Sequence, residues 1–159
     1  MTRRDKTNYY LDIADTVLER STCLRRKYGA IIVSNDEIVA TGYNGAPRGR
    51  KNCIDIGVCT RETLEIPAGE RYELCRSVHA EQNAIISASR RDMLGATLYL
   101  VGRDAKDDAM IDASSCTMCR RLIINSGITD VVSRRADGKF DRARVRDWVM
   151  SDDSVAAGV

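Results

Sequence analysis

The sequence predicts a single-domain α/β sandwich, and three observations carry that prediction. Short runs rich in β-branched residues recur at 28–33, 38–43, 97–101 and 129–133, as strands do. Stretches with apolar residues at helical spacing are interleaved with those runs. No internal repeat and no linker divides the 159 residues, so one core serves residues 1–150.

Taken in order, residues 7–20 place Tyr10, Leu11, Ala14, Val17 and Leu18 on one helical face, suited to packing on a sheet. The strand at 28–33 turns at Ser34-Asn35-Asp36 into the strand at 38–43, a hairpin. Residues 44–75 break the pattern with glycines, both prolines, charges and three cysteines. An irregular insertion of that length implies a function or an internal staple. Order returns at 77–88, where Ser77 stands at the cap and Ala80, Ala84, Ile85 and Ala88 share a face. A strand at 97–101 follows. The next helix begins around Cys116, with serine at its cap and Gly127 at its stop. The strand at 129–133 should run parallel to that at 97–101 through a right-handed crossover. A last amphipathic helix is expected at 142–150, and a small, polar tail at 151–159 should fray.

Bulk properties narrow the function classes. A net charge of +2 provides no broad nucleic-acid footprint, the basic residues being local at Arg25-Arg26-Lys27 and Arg48-Gly49-Arg50-Lys51. No apolar run reaches membrane-spanning length, and Met1-Thr2-Arg3-Arg4-Asp5-Lys6 leads into no apolar signal core. The expected compartment is therefore the cytoplasm, with neither membrane nor nucleic acid as partner. In that setting six cysteines suggest metal rather than disulfides.

The chemistry is concentrated in one constellation. Thirty-seven positions separate His79, the only histidine, from Cys116 in a Cys116-x-x-Cys119 pair, and Glu81 follows His79 by two. One imidazole and two thiolates leave a tetrahedral zinc with a fourth position for water, the mark of a catalytic site. Both ligand sets open helices, where free N–H groups and the dipole favour thiolates. Residues two apart point to different sides of a helix. His79 must therefore stand at the helix entry, with Glu81 free to act as proton shuttle. The pattern is similar to the His-x-Glu and Pro-Cys-x-x-Cys signature of zinc nucleobase deaminases.

The resemblance extends further. Arg20-Ser21-Thr22-Cys23, Gly29-Ala30-Ile31-Ile32-Val33, Ala40-Thr41-Gly42-Tyr43-Asn44-Gly45-Ala46-Pro47, Gly95-Ala96-Thr97-Leu98-Tyr99 and Gly127-Ile128 resemble the deoxycytidylate deaminase family. That resemblance implies a three-layer α/β/α cytidine deaminase-like sandwich with a mixed five-stranded sheet. It also implies zinc-dependent hydrolysis of dCMP to dUMP, supplying thymidylate synthesis. With these come a homo-oligomer, a hexamer by preference, and regulation by dCTP and dTTP with Mg2+ accompanying the effector. Asn44 corresponds to the sugar-contacting loop, its amide able to donate and accept; its alternative is a turn residue before Gly45. Arg26, with Arg48 and Lys51, is expected to meet phosphate, and Ser115 to line the substrate site. Arg90 corresponds to a position at the active-site mouth coupled to the effector.

Three departures bear on the substrate: Ser115 replaces the family's proline, Tyr28 a usual valine, and Ser133 an aromatic of several relatives. Cys23, Cys53, Cys59 and Cys75 remain after the catalytic pair; they are expected to bind a second, structural zinc, the alternative being free buried thiols. Two other functions use the same residues. A deaminase of another cytosine nucleotide, nucleoside or modified base differs only in pocket loops. A non-catalytic zinc module would have no use for Glu81.

Overall fold

The computed structural model describes residues 2–151. The chain runs through α1 (Lys6–Val17), β1 (Arg26–Ser34), β2 (Glu37–Tyr43), α2 (Cys53–Ile56), α3 (Thr60–Thr63), α4 (Ala80–Ile86), α5 (Arg90–Met93), β3 (Thr97–Asp104), β4 (Met110–Ile111), α6 (Thr117–Ser126), β5 (Asp130–Arg134), β6 (Phe140–Arg144) and α7 (Val145–Ser151). The sheet is ordered β2-β1-β3-β5-β6, with the two-residue β4 also paired to β3. The β3–β5 pair is parallel and the other pairs are antiparallel.

Side-chain alternation along the strands builds two cores. Ile31, Val33, Tyr99, Val101 and Val132 meet Tyr10, Leu11, Ala14 and Leu18 from the α1 side. Ala30, Ile32, Leu98, Leu100 and Val131 face the other way, onto Ala80, Ala84, Ile123 and Val145 of α4, α6 and α7. Strands covered on both faces read as unbroken apolar runs, which is why the sequence marks them so clearly. The hairpin forms as expected, with Asn35 and Asp36 both at positive φ (51° and 64°), the primed turn that matches strand twist.

Four expectations need correction. The helix expected from 142 begins at Val145, because residues 140–144 form an edge strand on β5. Phe140, Asp141, Arg142 and Arg144 are exposed there, so β6 has no buried face to impose a two-residue period. The first helix ends at Val17 and tightens into a 3₁₀ turn, Leu18–Arg20. The helix expected at 77–88 is α4 alone, and Ser89 caps a separate α5 by accepting from Asp92 N. The insertion carries two short helices, α2 and α3, and a 3₁₀ turn, Tyr72–Leu74. The expected fraying of the tail falls on residues 152–159, outside the described residues. Among the described residues no helix is long and apolar enough to cross a membrane.

Candidate active site

The site is built where two helices begin over one face of the sheet. Gly42 on β2 lets α4 lie close: a Cβ there would stand 2.3 Å from Ala80 O and 2.4 Å from Ala84 N. Gly45 and Val78 then exchange backbone hydrogen bonds of 3.1 and 2.7 Å, pinning the approach to His79 beside Asn44. His79 is the N-cap of α4 in extended conformation, and its N–H donates to Gln82 Oε1 at 2.8 Å. It therefore stands at the helix entry, as the two-residue offset to Glu81 requires. Cys116 is likewise the N-cap of α6, so the cap is not a serine. Its sulfur accepts from Cys119 N at 3.4 Å, the bond a serine hydroxyl would otherwise take. Gly127 ends the helix at φ 91°, as expected.

His79 Nδ1 lies 3.6 Å from Cys116 Sγ and 3.4 Å from Cys119 Sγ. Donors on a tetrahedral zinc, with Zn–N near 2.0–2.1 Å and Zn–S near 2.3 Å, stand about 3.5 Å apart, so the three fit the ion. Among the described residues this is the one group of three or more His, Cys, Asp or Glu donors lying within 4.8 Å of one another. The Cys116 thiol is held down to about 4, first by the proton it accepts from Cys119 and then by His79. Cys119 is pushed up as the donor of that pair. Burial opposes charge on His79, but the Cys116 sulfur outweighs it and the imidazole is raised.

Glu81 is 5% exposed, and its burial pushes the carboxyl above the usual carboxylate range. Ser115, also buried, lies near enough to favour the Glu81 charge, although its hydroxyl makes no hydrogen bond of normal geometry. Glu81, His79 and Cys116 open into a pocket whose other walls include Asn44, Arg26 and Tyr28. The Asn44 amide is largely committed. Its Oδ1 accepts from Ser21 Oγ (2.6 Å) and Tyr28 N (2.8 Å), and its Nδ2 donates to Arg26 O (2.8 Å). One N–H remains, so Asn44 can donate to a ligand but has no lone pair left for one. Its backbone is not left-handed, unlike the turn residue that was the alternative.

The other expected residues fall in different places. Arg26 is exposed at the pocket rim, whereas Arg48 and Lys51 are exposed outside the lining. Arg90 is exposed on α5, its Nε donating to Asn125 O (3.3 Å) at the end of α6. Ser133 sits on β5 and does not line the pocket; the aromatic rings that do are Tyr28 and Tyr72. Cys23, Cys59 and Cys75 line the same pocket, and Cys53 is buried close enough to all three for them to raise its thiol further after burial has done so. Their sulfurs form no group as tight as the His79 set. Sequence reading missed Tyr72 and Arg61. The Tyr72 ring meets the His79 imidazole edge-on, centroids 5.0 Å apart. Arg61 lies over the same ring at 4.6 Å. Neither stands in a periodic element, so the sequence carries no signal beyond a cation and an aromatic within the insertion.

A His-Cys-Cys zinc centre at two helix entries over an α/β sandwich, with a buried carboxyl beside it, defines a zinc hydrolase of the nucleobase deaminase type. Residues 4–134 match the family described as cytidine and deoxycytidylate deaminase zinc-binding region, and the chain belongs to that family. It is 37% identical over 137 residues to the deoxycytidylate deaminase of Mycobacterium phage D29, covering 83% of this chain and 96% of that one. It is 33% identical over 126 residues to that of Schizosaccharomyces pombe, covering 79% of this chain but 35% of the yeast protein. Among solved structures, dCMP deaminase from the cyanophage S-TIM5 in complex with dCMP and dUMP superposes with a TM-score of 0.54 at 25% identity, covering 82% of each chain.

Proposed function

We infer that this chain hydrolyses dCMP to dUMP and ammonia. The observation that carries the inference is the His79–Cys116–Cys119 geometry with Glu81 buried beside it. His79, Cys116 and Cys119 would hold zinc, which when bound would supply a Lewis acid able to bring water near its deprotonation point at neutral pH. Glu81 removes the proton of the attacking water. Its raised affinity for that proton suits it to deliver the proton to ring N3, and then to carry the second water proton, left on the new C4 hydroxyl, to the departing amine. The free N–H of Asn44 donates to a sugar oxygen, and Arg26 meets the 5′-phosphate at the rim. The names of the phage and yeast relatives support dCMP over a free nucleoside. Turnover of dCMP, dCDP, dCTP and deoxycytidine by the purified zinc-loaded protein is the test. Comparable kcat/KM for dCMP and deoxycytidine would overturn the nucleotide assignment while leaving a zinc deaminase standing.

A second, structural zinc on Cys23, Cys53, Cys59 and Cys75 belongs to the same reading. Its support is the convergence of all four thiols on the insertion, and the ion would draw them together as a staple. A homo-oligomer is supported by large apolar side chains left exposed at the end of α4 and at the C-cap of α5, Ile86 at 74% and Leu94 at 51%. Arg90, bridging α5 to the end of the Cys116 helix, gives dCTP or dTTP with Mg2+ a route to the site. The cytoplasm is the matching location.

A further inference from the structure

The insertion contributes a cation that the proposed reaction has not used. Arg61, on α3, is 6% exposed and lines the pocket with Tyr72, His79 and Glu81. Its Nη2 donates to Pro67 O at 2.9 Å and to Glu70 O at 2.8 Å, and the Tyr72 ring covers one face of its guanidinium. These contacts orient the group without neutralising it. Among the described residues no carboxylate forms an ion pair with Arg61. Its neighbour Arg25 is matched by Glu62 at 3.0 Å. The Arg61 Nε is also buried without a hydrogen-bond partner. A buried, uncompensated guanidinium is costly, and a donor without an acceptor adds to that cost.

We propose that Arg61 is a specificity-determining residue whose guanidinium, through the Nη1 group not engaged by Pro67 and Glu70, receives the dianionic 5′-phosphate of the substrate. The proposal rests on the nucleotide reading above and deepens it. A fixed, delocalised guanidinium charge suits phosphate oxygens, and the dry wall makes each charge-assisted bond stronger than one at the exposed rim. Arg26 at the rim attracts the anion; Arg61 discriminates. Tyr72, between Arg61 and His79, sets the spacing of the phosphate subsite from the zinc ligands.

The test uses zinc-loaded full-length enzyme with Arg61→Gln and Arg61→Lys. In Arg61→Gln the dCMP to deoxycytidine ratio of kcat/KM falls on the order of 100-fold, chiefly through KM for dCMP. Arg61→Lys, which keeps the charge but loses the guanidinium, restores part of it. Inorganic phosphate competes with dCMP in the wild-type enzyme and loses that effect in Arg61→Gln. Equal slowing of both substrates with the ratio intact, or phosphate competition unaltered by Arg61→Gln, would mean that Arg61 only holds the insertion, and would overturn the proposal. A ratio that collapses in Arg26→Gln but survives in Arg61→Gln refutes Arg61 alone. A wild-type enzyme indifferent to the phosphate refutes Arg61 and the nucleotide reading together.

Discussion

The two helix entries and the insertion that faces them meet at one pocket, yet they are held in unlike ways. His79, Glu81, Cys116 and Cys119 stand on α4 and α6, whose inner faces include Ala80, Ala84, Cys119 and Ile123, all fully buried or nearly so. Residues 44–75 have only short helices, and exposed Ile54, Val58 and Leu64 leave that region little apolar core. Its order rests on polar anchors such as the Arg61 bonds to two carbonyls. The difference is one of task. Proton transfer needs atoms held to a fraction of an ångström, which packed elements provide. Recognition of a substrate needs side chains arranged around it, which a loop on a rigid scaffold provides.

The sharpest way to break this division is to alter the rigid side without touching the fold. Glu81→Gln should keep zinc and secondary structure while turnover falls by about 10²–10⁴-fold, because in the proposed reaction water activation and amine protonation both pass through that carboxyl. Zinc content and kcat measured on one preparation decide it; near-normal turnover with zinc retained would remove Glu81 from the chemistry.

On the recognition side, Arg26→Gln should lower kcat/KM for dCMP about 10-fold and for deoxycytidine much less, as expected of a partly solvated phosphate contact. Equal effects on both substrates would assign Arg26 to the surface. Gly42→Ala tests the scaffold itself. A methyl 2.3 Å from Ala80 O must push α4 away, costing about 1–3 kcal/mol in chemical denaturation and disturbing the His79 and Glu81 positions with it. Unchanged stability and activity would show that the close approach is dispensable.

The smallest effect on turnover is expected from Cys53→Ser. Elemental analysis should give two zinc ions per wild-type chain and one in the variant, with faster proteolysis confined to residues 44–75. One zinc per chain in intact wild-type protein would leave these four cysteines as free thiols.

Much of this was legible before any coordinates. The four core strands, the two helix entries and the donor set follow from local patterns, since alternation, caps and motif spacing depend on residues near one another in the chain. The two-residue offset of His79 and Glu81 even required the helix to begin where it does. Edge strand β6 escaped because exposed residues carry no burial period. Arg48, Lys51 and Arg61 mark the other limit. All three are cations in or beside one irregular insertion, and nothing in the sequence ranks them. Packing placed Arg48 and Lys51 at the surface and left Arg61 in the wall without a counter-charge, because in a loop the neighbours that fix burial are distant in sequence. Likewise the sequence supplied the Asn44 amide, but only the tertiary contacts with Ser21, Tyr28 and Arg26 decided that a single N–H of it remains for substrate.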